Sequence, residues 1–252
     1  MHVILTGATG LVGSGVLNQL LAQPAGRVSH ISILGRNNSP LAEGKPNVTF
    51  IKHDDFLSYP PELLERLKGA EACIWALGIS QTQVSKEEYV EITEGYSIAA
   101  AKAFSTLSDK FTFVYVSGEG ATPNPGPFSA YFAGVKGRTE LELNALMKEY
   151  PSLRTYSMRP GMVDPRGDPA VLAAQKDRRG AAFKTMEAVM SPIIRATYAS
   201  MHSPTPWLGE FLVGLATGDG EPFKGDDMEG DGRILPNKAA RRISKQWKKE
   251  GK

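Results

Sequence analysis

Residues Val3 to Val16 read V-I-L-T-G-A-T-G-L-V-G-S-G-V, and the fold turns on how this stretch is understood. Val3, Ile4 and Leu5 form an apolar run closed by Thr6 and Gly7, the pattern of a buried parallel strand. Val12, Val16, Leu20 and Leu21 then recur at helical spacing. Gly7, Gly10 and Gly13 punctuate the join. The first permits a tight turn, the second lets a phosphate approach the backbone, and the third lets the helix pack closely on the strand. The amides at Leu11 and Val12, with the positive end of the helix dipole, complete an anion site over Gly7, Thr9 and Gly10. Strand before and helix after are the context that turns a glycine triplet into a dinucleotide pocket.

The chain has 252 residues, enough for one α/β domain with an elaborated C-terminal part, and 41% of them are hydrophobic. No apolar run reaches the ~18 residues that a membrane span needs. Met1 leads directly into the first strand, leaving no room for a leader, so a soluble cytoplasmic protein without integral membrane contact is expected. The single cysteine, Cys73, lies in an apolar run and reads as a buried small hydrophobe. A formal charge of +2 does not suggest nucleic acid as a partner. A small-molecule substrate fits better, and monomer and dimer both stay open.

Further strands are expected at His30–Gly35, 47–52, 72–77, 111–117 and Leu153–Arg159, with helices between them. The longest helical stretch, 87–107, sets Tyr89, Ile92, Tyr96, Ala100 and Phe104 on one face. Alternating strands and helices predict a doubly wound parallel sheet, a Rossmann fold. About 20 residues after the glycines, an acidic residue would bond the ribose 2′-hydroxyl of NAD. Arg36 stands there instead, and a planar, permanently charged guanidinium suits the 2′-phosphate of NADP(H).

Residues 1–165 are expected to form the nucleotide-binding domain, and 166–252 a small, mainly helical substrate-side extension on the same core. Phe183, Met186, Val189, Met190, Ile193 and Ile194 mark one amphipathic helix, and Thr205–Ala216 another. The acids at Asp226, Asp227, Glu229 and Asp231 lack the spacing of a calcium loop and read as a solvated loop. No metal site is expected. The final segment puts Ile243 and Trp247 on one face of a basic helix docked by Trp247.

T-G-A-T-G-L-V-G resembles the N-terminal signature of the extended and atypical short-chain dehydrogenase/reductase families, spaced G-x-x-G-x-x-G. The resemblance covers roughly residues 1 to 165. It implies that Asp55 and Phe56 touch the adenine, that Ala76, Leu77 and Gly78 pass under the cofactor, and that Pro160 and Gly161 run beside the nicotinamide. Lys136, with Gly137 and Glu140, is similar to the atypical branch of Tat-interacting oxidoreductase-like and NmrA-like proteins, which includes cofactor sensors.

The same resemblance implies a catalytic Tyr, a Lys four residues later and a Ser near the fifth strand's end. A four-residue offset separates two side chains by only ~40° on a helix. Here Phe132 stands four before Lys136, and Tyr131 lies one position earlier, ~140° away on a regular helix. Either Tyr131 precedes the regular helix and can swing inward, or Ser117 or Glu119 supplies the acid. Three functions follow: an NADP(H)-dependent oxidoreductase acting on a small carbonyl or hydroxyl substrate, a non-catalytic NADP-binding redox sensor or regulator, or a redox-neutral isomerase or epimerase.

Overall fold

The computed structural model describes residues 1–176 and 201–251. Strand β1, His2–Thr6, carries the opening apolar run and is buried from Val3 to Thr6. It lies between β2, His30–Gly35, and β4, Ala72–Trp75, both parallel to it. β3, Val48–Lys52, flanks β2, while β5, Phe111–Val116, and β6, Leu153–Arg159, follow β4. Two further strands, β7, Met162–Asp164, and β8, His202–Pro204, make a separate parallel pair. A last strand, β9, Ile234–Pro236, joins the main sheet beside β6, giving the order β3-β2-β1-β4-β5-β6-β9. All its pairings are parallel, so the sheet is doubly wound, with its direction of progression reversing between β1 and β4. Open sheets of this kind bind ligands at the carboxyl ends flanking that reversal.

Alternation along β4 divides the core: Ala72 and Ile74 face one layer, Cys73 and Trp75 the other. The first layer packs against α1, Leu11–Leu21, through Val16 and Leu20. It also receives Leu208, Phe211 and Leu212 from a later helix, Thr205–Ala216, numbered α7 below. The second layer meets α2, Pro61–Leu67, α4, Tyr96–Phe104, and α5, Tyr131–Leu146, while α3, Lys86–Val90, leads into α4. The short α6, Pro169–Ala174, precedes α7, and α8, Asn237–Glu250, closes the described chain. Cys73 is fully buried, and burial pushes its thiol well above the usual range.

Helices α1 and α7 touch backbone to backbone. A Cβ on Gly209 would lie 2.7 Å from the Gly15 carbonyl oxygen, and one on Gly15 would lie 3.1 Å from Thr205 Cβ. α8 docks through buried Ile243 and through Trp247, whose ring stacks on Phe211 at 5.1 Å and fills the space a Gly214 side chain would need.

Three differences from the sequence expectations have physical causes. The long helix divides, because a π turn at Glu91–Gly95 separates α3 from α4; a Gly95 side chain there would press on Leu57 at 3.3 Å. Strands β7, β8 and β9 are three residues each, too short for periodicity to reveal. The acidic loop is tied down in part: Asp227 pairs with Arg242 at 2.7 Å and Glu229 with Arg159 at 2.7 Å. The amphipathic helix expected from Phe183 to Ile194 lies outside the described residues.

Candidate active site

The three glycines of the opening turn do different work. Gly7 adopts φ +69, and a side chain there would run into the Ala76 carbonyl. A Cβ on Gly13 would run into the Gly7 carbonyl, so the helix start packs directly on the turn. Gly10 has an ordinary φ of −82, and its Cβ would approach only the Gly7 oxygen, at 3.2 Å. The fold therefore requires glycine at Gly7 and Gly13, whereas at Gly10 the missing side chain leaves room for a ligand. No side chain caps α1 and no acid sits in its first turn, so its amides at Leu11 and Val12 present an uncompensated positive end.

A cavity of about 240 Å³ opens over this cradle. It is lined by Gly7, Thr9 and Gly10 from the end of β1, by Arg36 and Asn37 from the end of β2, and by Phe56 and the run Ala76, Leu77, Gly78. Arg36 is exposed at the end of β2 and enters no ion pair among the described residues. Phe56 is 2% exposed, held edge-on to Trp75 at 5.8 Å. Asp55 does not line the cavity; it is exposed, and its Oδ1 accepts the Leu57 N–H at 3.0 Å. Ala8, Ile33, Leu34, Gly35 and Asn37 also line the space, and the sequence reading did not single them out. A dinucleotide cofactor fits these residues, because the cradle supplies backbone amides to its phosphates.

Two strands on, at the end of β5, Lys136 reaches in from α5. Its Nζ donates to the carbonyls of Val116 at 3.2 Å and Ser117 at 2.9 Å, and stands 5.6 Å from the Tyr115 ring centroid. Burial lowers its pKa to about 8, against the opposing pull of Glu140. Ser117 is 4% exposed, and its Oγ is buried without a hydrogen-bond partner. At the next residue, a Cβ on Gly118 would lie 3.8 Å from Phe132 Cε2 and 3.9 Å from Lys136 Cδ. Position 118 thus faces Lys136 and Phe132 and carries no side chain.

α5 begins at Tyr131, with no irregular turn inside its first residues. Tyr131 is 39% exposed, its ring centroid lies 6.1 Å from that of Tyr89, and Lys86 Nζ stands over the ring at 5.3 Å. The Phe132 ring, on the other face, meets position 118 beside Lys136. Gln81 Oε1 accepts the Phe132 N–H at 2.7 Å and so fixes the helix start, a contact no sequence pattern signals. Glu119 is occupied elsewhere: its Oε2 accepts the Asn237 N–H at 3.1 Å, at the amide end of α8.

Pro160 and Gly161 follow β6. Gly161 N–H donates to Ser203 Oγ at 3.0 Å, and a side chain at Gly161 would run into the Met201 carbonyl. Beneath them Arg159 is held by buried Glu140, with Nη2 2.6 Å from Oε2, and by Glu229. Burial alone would lower the Arg159 pKa, but the hydrogen bonds it donates to Glu140 and Glu229 outweigh it and raise the value. From the other side Gln175 donates to the Thr9 carbonyl at 2.9 Å and to Ser14 Oγ at 3.3 Å, so the segment after α6 braces the glycine turn. Among the described residues no helix is long and apolar enough to cross a membrane.

No family model matches the chain. It is similar to solved structures at low identity: a short chain dehydrogenase family protein from Francisella tularensis, with TM-score 0.65 and 18% identity, covering 96% of this chain and 98% of that one. A dTDP-glucose 4,6-dehydratase from Streptomyces venezuelae has TM-score 0.63 and 15% identity, covering 100% of this chain and 81% of that one. These likenesses show that the chain shares their fold, a doubly wound parallel sheet flanked by helices. Among curated relatives, a mitochondrial fmp52-1 protein of Aspergillus oryzae is 29% identical, over 64% of this chain and 66% of its own length. The botcinic acid biosynthesis cluster B protein 16 of Botryotinia fuckeliana is 38% identical, over 58% of this chain and 97% of its own length. The leucinostatins biosynthesis cluster protein T of Purpureocillium lilacinum is 32% identical, over 93% of this chain and 92% of its own length. With that identity across nearly the full length of both, the chain belongs to the family of the leucinostatins biosynthesis cluster protein T.

Proposed function

We propose that the chain binds NADP(H) and acts as an oxidoreductase on a small carbonyl or hydroxyl substrate, within the atypical branch of the short-chain dehydrogenase/reductases. The observation that carries this reading is the 240 Å³ cavity that the Gly10 cradle and Arg36 line together. When bound, the reduced nicotinamide supplies a hydride to an electrophilic carbon. Gly7, Thr9, Gly10 and the amides of Leu11 and Val12 hold the diphosphate, Arg36 takes the 2′-phosphate, and Phe56 bounds the adenine. Ala76, Leu77 and Gly78 lead from there to the β5 end, where Lys136, Pro160 and Gly161 border the nicotinamide. Two relatives carry the names of biosynthesis clusters, which supports a substrate from such a pathway.

The test is a titration of NADPH and NADH against the wild type and Arg36→Ala. A charge-assisted contact to the phosphate contributes ~1.5 to 3 kcal/mol, a preference of roughly ten- to a hundredfold for NADPH. Arg36→Ala should abolish that preference while leaving NADH affinity near the wild-type value. Equal affinities in the wild type would remove the NADP assignment.

One observation favours a second reading, a non-catalytic NADP(H)-binding regulator. Phe132, not a phenol, meets the face of position 118 beside Lys136, while Tyr131 turns toward Tyr89 and Lys86. A regulator would bind NADPH and leave it unconsumed with every carbonyl offered.

A further inference from the structure

We propose that Lys136 is itself the proton donor of this site, its ammonium protonating the substrate oxygen in the gap left by the absent side chain of Gly118. The inference rests on the oxidoreductase reading above.

The argument is one of elimination by contact. Phe132 carries no exchangeable proton. Tyr131 is engaged outside with Tyr89 and Lys86, and Glu119 accepts the Asn237 amide. Ser117 Oγ is buried without a hydrogen-bond partner, so no neighbour activates or reprotonates its hydroxyl, and an unassisted hydroxyl is far from the acidity a donor needs near neutral pH. Glu140 is spent on Arg159, with three contacts between 2.6 and 3.1 Å. Tyr115 lies under the ammonium as a ring face, is 2% exposed, and burial raises its hydroxyl well above the usual range. Lys136 remains. Two carbonyls take two of the three protons an ammonium can donate, which aims the group and leaves one N–H to offer.

The absent side chain at 118 matters because a Cβ there would meet the Lys136 stem and the Phe132 ring at ordinary contact distance. Glycine leaves that volume to a substrate oxygen. Phe132 walls the gap with carbon, and burial keeps the Lys136 pKa near 8, where a donor is still protonated at neutral pH and gives up its proton readily. In the step, one Nζ–H bond breaks and its electron pair stays on Nζ. An O–H bond forms on the substrate oxygen as the adjoining carbon receives the hydride from a reduced nicotinamide nucleotide. The neutral amine then regains a proton from water.

The experiment compares Lys136→Met and Lys136→Arg with the wild type in the NADP-bound protein. Arginine keeps the positive charge and the donors to the two carbonyls but does not release a proton. Reduction of small aromatic aldehydes with NADPH should fall by ~10²- to 10⁴-fold in both variants, while both still bind NADPH in a fluorescence titration. The wild-type rate should be flat below pH 8 and fall tenfold per unit above it. Independently of turnover, the labelled Lys136 side chain, assigned by its loss in Lys136→Arg, should titrate near pH 8 by NMR. An active Lys136→Arg enzyme, or a Lys136 that stays protonated beyond pH 10 in the complex, overturns the proposal and leaves the oxidoreductase reading standing. A wild type that binds NADPH and reduces none of the aldehydes, when a Gly118→Ser, Phe132→Tyr double variant does, overturns both and establishes the regulator.

Discussion

Gly10 and Gly13 look equivalent in the sequence and differ in what surrounds them. A methyl group on Gly13 meets a backbone carbonyl that cannot retreat without opening the β1 turn, whereas one on Gly10 needs the Gly7 oxygen to yield a few tenths of an ångström. Gly13→Ala should therefore destabilise the protein by ~1 to 3 kcal/mol through overpacking. Gly10→Val should remain folded and lose nucleotide, because its branches enter the space that the phosphates need. Thermal melts with and without NADPH separate the two. Gly10→Val should melt near the wild-type temperature yet gain nothing from NADPH, and retained binding would show that the phosphates lie elsewhere.

At the scale of the element, α1 is located by what it touches at both ends. Its amide end forms the cradle, and its middle meets α7 through Gly15 and Gly209. Gly209→Ala should push α1 away from α7, because its Cβ would stand 2.7 Å from a backbone oxygen. The expected outcome is ~1 to 3 kcal/mol lower stability together with weaker NADPH affinity, although Gly209 is not among the residues lining the cofactor cavity. Unchanged affinity in a destabilised variant would show that the cradle holds its shape without α7. The bounds of α7 were legible because Pro206 at its start and Gly218 beyond its end flank an apolar periodicity. The β1–α1 turn was legible for a similar reason: one contiguous stretch contains every part of it. The direction of Tyr131 depended on whether the helix was regular from its first residue, which Gln81, fifty-one positions before the Phe132 amide it accepts from, helps to decide. The path of Glu119 to α8 and of Gln175 to Thr9 spans 118 and 166 positions, and no local pattern encodes a contact of that range.

Across the whole molecule, the segment after residue 201 is built into the sheet that carries the site. β9 extends the main sheet beside β6, Leu208, Phe211 and Leu212 share one core with Val3 and Leu5, and Glu229 completes the partnership of buried Arg159. A chain of hydrogen bonds runs from Gly161 to Ser203 Oγ, from Ser203 Oγ to Asn237 Oδ1, and from the Asn237 amide to Glu119, joining the β5 and β6 ends to the start of α8. A chain ending at residue 165 would expose the α1 and sheet faces that α7 covers, and would leave Arg159 with Glu140 alone. We therefore expect no stable nucleotide-binding fragment from residues 1–165, and one cooperative transition for the full chain. Unfolding in urea followed by tryptophan fluorescence and far-ultraviolet circular dichroism should give coincident midpoints, because Trp75 lies within the sheet core while Trp207 and Trp247 pack on α7 and α8. Added NADP should shift both midpoints together, although Trp207 and Trp247 do not line the cofactor cavity. Separate midpoints, or a folded 1–165 fragment that binds NADP, would show that the cofactor site is held by the first six strands and that the C-terminal segment serves the substrate side alone.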